Sequence, residues 1–415
     1  MWTAIRATLS QWYIAGIGFF LIAGGLFLAS HWSSAPAPVA AAQNRQSPTL
    51  EIAARAPPPT LPAMPKATAT AAPSVPSIQQ PSAAAASAPA LDHTMAQSMT
   101  TAQAQPASYP LAGLFALWFA GRVAILGSAI WGAWLAAAID VAFLVLLAAA
   151  VTREIVAGNN KRHLRILVLL GVLIAGNIVF HLEAIWYGSA EYGTRLGIAA
   201  IVALISLVGG RIVPSFTHNW LARSNPGRLP VSFSRFDAVA IGGSVLALVS
   251  WIVLPQSIIS GAMLIIAGLL QAVRLLRWAG DRTLADRLVL VLHVAYAFVP
   301  IGFLLLGAAI LWPADWPVSA GLHTWMAGAA GLMTLAVMTR ASLAHTGCKL
   351  VASRPTQLIY LCALVAALVR IFAAFEPSSA LLHIAAFAWV LAFGGFAAVY
   401  GPLLMGRAPV WAERA

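Results

Sequence analysis

The sequence predicts an all-helical, polytopic membrane protein. Three observations carry that reading: 60% of the 415 residues are hydrophobic, only 9% are charged, and the apolar residues gather in long runs. A soluble chain of this length cannot hide so much apolar surface, so lipid must cover part of it. The net charge of +12 would suggest nucleic acid as the partner of a soluble protein. Here the basic residues fall mostly between the hydrophobic runs, where they set membrane topology, and no nucleic-acid partner is expected. The two cysteines, Cys348 and Cys362, have no metal or redox spacing, and no Cys-x-x-Cys-His for covalent haem occurs.

Eleven segments are long and apolar enough to span a bilayer, near 12–30, 111–128, 130–152, 166–187, 196–215, 237–254, 257–275, 288–312, 318–340, 356–375 and 378–405. In lipid the backbone must satisfy its own hydrogen bonds, so each is expected to be a helix. Breakers separate them at Pro255-Gln256, Trp312-Pro313, Trp316-Pro317 and Pro377-Ser378. Trp131, Trp134, Trp186, Trp312, Trp316 and Trp325 lie near helix ends, as interfacial anchors do.

The chain divides into an N-terminal transmembrane helix (1–33), a Pro/Ala/Ser-rich segment (34–110), a ten-helix membrane domain (111–405) and a short tail (406–415). The 34–110 segment has almost no periodic apolar pattern and is expected to be disordered, since it cannot bury enough surface to offset its ordering entropy.

Loops with Arg153/Lys161/Arg162/Arg165, Arg211/Arg223/Arg228/Arg235, Arg274/Arg277/Arg282/Arg287 and Arg340/Lys349/Arg354 are basic and expected on the cytoplasmic side. The alternate loops, at 188–194, 255–256, 313–317 and 376–378, are short and nearly free of Lys and Arg. The last ten helices then begin and end inside. The first helix would have to enter from outside, although Arg6 favours an inside start. One crossing is missing between residues 30 and 110.

This topology sorts the histidines by depth. His181, His323 and His383 lie five or six residues from the outer ends of their segments, about 8 Å inside the boundary at helical rise. Histidine is costly in hydrocarbon, so three at one level point to a shared metal or haem site, with Glu183 as an added carboxylate. Separate hydrogen bonds to neighbouring helices are the plainer alternative. On the inner side, His293 lies within its segment, while His218 and His345 follow segments ending in Arg211 and Arg340. Imidazoles beside arginines suit a porphyrin, with nitrogen on iron and guanidinium on a propionate. Solvated loop residues beside topology-setting arginines are the alternative. Arg122 and Asp140, on neighbouring segments joined by a tight outer turn, are expected to form a structural ion pair. Asn177, Gln271 and Arg370 are further intramembrane polar residues without a constellation. Gly209-Gly210 is expected to serve close helix packing. No phosphate loop, nucleotide motif or Ser/His/Asp arrangement occurs.

The stretch Met338-Thr339-Arg340-Ala341-Ser342-Leu343-Ala344-His345-Thr346-Gly347, with Gly-Gly-Arg-Ile-Val-Pro-Ser-Phe-Thr at 209–217, Asn177-Ile178-Val179-Phe180-His181-Leu182-Glu183, and His323 ahead of Gly-Leu-Met-Thr-Leu, resembles the NnrS family over about residues 110–405. The resemblance implies a twelve-helix bundle in the bacterial inner membrane that holds haem b and copper. It also implies a role in nitric oxide metabolism, nitrosative stress and denitrification, with nitric oxide or its metal adducts as small-molecule partners. The family's His-x-His-Glu motif, expected on a second helix, has no match here, and the Pro/Ala-rich segment stands in its place. That segment is either a divergent replacement or the product of a shifted reading frame. Cys348-Lys349 also departs from the arginine that usually follows His-Thr-Gly. A small-solute transporter is the competing class, but no internal repeat of the kind that transport folds carry is apparent.

Overall fold

The computed structural model describes residues 108–157 and 164–404, which form ten long helices. They are α1 (Ser108–Leu126), α2 (Ala133–Ala157), α3 (Leu164–Tyr187), α4 (Tyr192–Ser224), α5 (Arg235–Val253), α6 (Ile258–Leu276), α7 (Arg287–Leu311), α8 (Val318–His323 continuing through Thr324–Leu332 to Met333–His345), α9 (Arg354–Phe375) and α10 (Ser379–Leu404). No strand occurs among the described residues. Nine of these helices are long and apolar enough to cross a membrane, and the apolar part of α1, Gly113–Leu126, is shorter. The chain is an all-α, multi-pass membrane bundle. The helix expected at 12–30, the missing crossing, most of the 34–110 segment and the tail lie outside the described residues. Helix α1 begins at Ser108, slightly ahead of the boundary the sequence suggested.

Helices start where side chains can satisfy the first free amide groups. The Asp286 carboxylate accepts from Leu288 N and Val289 N to open α7, and Ser353 Oγ accepts from Thr356 N to open α9. Ser234 and Asp237 form a capping box at α5.

Antiparallel neighbours pack in sequence: α1 on α2, α3 on α4, α5 on α6, α6 on α7 and α9 on α10. Helices α7 and α8 are the most buried and form the centre, whereas α3 buries little of its surface. Around them cluster Tyr296, Phe303, Trp325, Phe396 and Tyr400. Trp325 is a correction to the expected interfacial belt: it is fully buried, donates from Nε1 to Val299 O at 3.1 Å and packs edge-on against Trp251 and Phe303. The other five tryptophans of that group are exposed, as anchors are.

Two helices are longer than the sequence suggested. Both α4 and α8 contain a π-helical stretch, at Ile205–Gly209 and Thr324–Leu332, and continue beyond Arg211 and Arg340. A π-turn widens the helix by one residue per turn and releases carbonyl groups from the regular ladder. His218 therefore lies inside α4, and His345 is the last residue of α8, where both had been expected in loops.

Candidate functional site

Two polar clusters interrupt the apolar bundle. The first joins α1, α2 and α3. A tight turn between α1 and α2, closed by Trp131 Nε1 donating to Ala124 O at 2.9 Å, brings Arg122 to Asp140. Arg122 Nη2 pairs with Asp140 Oδ1, as the sequence led us to expect. Gly121 allows the approach, since a Cβ there would stand 3.2 Å from Asp140 Oδ1. The other carboxylate oxygen accepts from Asn177 Nδ2 at 2.9 Å and faces His181 Nε2 at 3.1 Å. Asn177 and His181 are four residues apart on α3 and share one face. Asp140 is 3% exposed and His181 9%.

The second cluster joins α4, α5, α6 and α7 around Arg274, which is fully buried. Its Nε donates to Asp237 Oδ1 at 3.2 Å, Nη1 to Ser206 O and to Tyr296 Oη, both at 2.9 Å, and Nη2 to Gly210 O at 3.4 Å. Tyr296 Oη donates on to Gln271 Oε1, and Gln271 Nε2 to Ser244 Oγ, each at 2.8 Å. Ser206 lies in the π-stretch of α4, so its carbonyl faces the guanidinium. Arg274 had been read from sequence as a loop cation that sets topology. Its place at an α5–α6 hairpin, level with Asp237, was the signal for a buried pair.

The histidines expected to share an outer site do not come together. His181 belongs to the Asp140 cluster. His323 is buried in α8, and His383 is exposed at the start of α10, its Nδ1–H donating to Ser379 O at 2.6 Å. Helix α3 packs chiefly on α2 and α4, while α8 packs chiefly on α7 and α9, so His181 and His323 stand on helices that are not main packing partners. Glu183 is engaged elsewhere: its carboxylate accepts from Tyr192 N at 3.1 Å and Gly193 N at 2.8 Å and caps α4. Among the described residues no three of His, Cys, Asp or Glu form a group suited to a metal ion.

In the group expected on the inner side, His293 is buried with Nε2 2.8 Å from Thr217 Oγ1, and Thr217 Oγ1 also donates to Val213 O at 2.8 Å. The hydroxyl has one proton, so His293 carries its own on Nε2. Its Nδ1 faces Gly280, where a Cβ would stand only 2.6 Å away. Arg340 lies with its guanidinium over the Phe216 ring at 4.2 Å, which links α8 to α4 two residues from His218. Its Nη1 is buried without a hydrogen-bond partner among the described residues. Arg211 is exposed just beyond the π-stretch of α4, and His218 is half-buried.

The sequence profile of one family, described as NnrS protein, matches residues 93–407, well over half of the chain. No curated protein and no solved structure matches it.

Proposed function

We propose, from the premise that the chain belongs to the NnrS family, that it is an inner-membrane protein that binds haem b and copper and serves nitric oxide metabolism or the nitrosative stress response. The family match carries this reading, and it spans every histidine of the inner and outer groups. When bound, such centres supply a metal to which nitric oxide attaches.

The chain's residues fit these groups unequally. His181 suits copper, because its ring is held against a carboxylate. His323, His383 and Glu183 remain candidate donors but stand apart from it. Arg340 suits an anionic partner such as a haem propionate, since its Nη1 is a buried donor without a hydrogen-bond partner among the described residues. His293 has Nε2 taken up by Thr217, while its Nδ1 is buried beside Gly280 without a hydrogen-bond partner among the described residues and is the nitrogen it could offer. His218, His293 or His345 would hold the haem, with Arg211 and Arg340 as candidate partners of its propionates.

An optical spectrum of the detergent-purified chain tests the reading. A Soret band that shifts on addition of nitric oxide supports it, and a colourless, metal-free preparation removes it.

A further inference from the structure

The two polar clusters differ in one respect. Around Arg274 the charged and amide groups are closed on one another: Arg274 Nε, Nη1 and Nη2, both Gln271 amide atoms, Tyr296 Oη and both Asp237 oxygens all have partners, and of this cluster's named side chains Ser206 Oγ is left without a hydrogen-bond partner among the described residues. A network whose charged groups are satisfied in this way ties helices together. Around Asp140 it is not closed. Arg122 Nε and Asn177 Oδ1 are buried on either side of the same carboxylate, without a hydrogen-bond partner among the described residues. Buried orphans of this kind are rare in a purely structural pair and mark a place where another polar species belongs.

The tautomer of His181 follows from its partner. Asp140 faces the Arg122 guanidinium on one oxygen and the Asn177 amide donor on the other, so it is ionised and can only accept. The 3.1 Å contact to His181 Nε2 is therefore an N–H donating to a carboxylate. A neutral imidazole has one proton, which leaves the lone pair on Nδ1. A histidine that ligates a metal characteristically gives its other ring N–H to a carboxylate or carbonyl, which fixes the ring and raises the basicity of the ligating nitrogen.

We infer that Asp140, held by Arg122 and Asn177, is a positioning residue that fixes His181 as the Nε2–H tautomer and presents its Nδ1 lone pair to a soft or borderline transition-metal ion. The inference rests on the reading of His181 as a metal ligand given above and concerns what prepares it. As the described residues supply a single imidazole here, the ion keeps coordination positions for other donors, including small exogenous ligands.

The test uses the full chain in detergent, labelled with ¹⁵N-histidine, with the His181 signals assigned by their loss in His181→Gln. The ring shifts of the metal-free wild type should show a protonated Nε2 and an unprotonated Nδ1. Asp140→Asn should abolish that preference. It should also weaken Cu(I) binding at the His181-dependent site by roughly 10–100-fold, in competition with a Cu(I) chelator. A wild-type lone pair on Nε2 overturns the inference, as does an Asp140→Asn protein that keeps both tautomer and affinity. If Asp140→Asn does not fold, the wild-type tautomer and Asn177→Ala, which leaves the Arg122–Asp140 pair in place, decide it. The two readings fail differently. A wrong tautomer with Cu(I) binding that still needs His181 sinks only this inference, whereas Cu(I) binding unaffected by His181→Gln sinks the metal assignment and the positioning role with it.

Discussion

Gly210 and Arg274 occupy each other's space: a Cβ on Gly210 would stand 2.2 Å from Arg274 Nη2 and 2.7 Å from the guanidinium carbon. The absent side chain in α4 is what admits a fully buried cation from α6. Gly209-Gly210 thus serves close packing, as its sequence suggested, and the partner it admits is an arginine.

Gly210→Ala should therefore destabilise the bundle by about 1–3 kcal/mol, because the arginine is held on several sides and cannot retreat. Gly242→Ala is the control, since a Cβ there meets nothing within 4 Å. Thermal unfolding in detergent should separate the two variants clearly. Equal melting temperatures would remove the steric argument.

Removing one partner of the Arg274–Asp237 pair leaves a buried charge. Arg274→Met should cost about 3–5 kcal/mol. The loss is tempered by Arg277 Nη2, which lies 3.6 Å from Asp237 Oδ2. Arg274→Met combined with Asp237→Asn should cost less than the sum of the single changes, since the two groups share one interaction. Strict additivity by thermal denaturation would show that they do not.

Topology is tested by reporter fusions placed with the helix ends in view. Helix α4 runs to Ser224, so the inner fusion belongs after residue 228, in the loop before α5, and the outer one after residue 315. The first should report a cytoplasmic location and the second a periplasmic one. The opposite pair of results would invert the map.

The bundle was largely legible because long apolar runs in lipid have one backbone solution. Helix ends were less so. Arg211 and Arg340 looked like terminal charges, yet π-turns carry α4 and α8 past them, and periodicity of apolar residues does not register a local change in winding. Trp325 looked interfacial by its position near a helix start, and only tertiary packing reveals that α8 is central. The Arg122–Asp140 pair was legible from a short turn and from side chains long enough to cover their difference in depth. The role of Asn177 was not, since spacing alone does not say which neighbour faces it. Shared depth of His181, His323 and His383 was a one-dimensional measure, and it carried no information about which helices pack together.

The most direct test of the account is the copper and haem content per protein of the wild type, His181→Ala and His345→Ala, each purified as a folded species with the same elution volume. Two separable centres require His181→Ala to lose copper and keep haem, and His345→Ala to lose haem and keep copper. Loss of both cofactors to the same extent in both variants, or full retention in both, would contradict it.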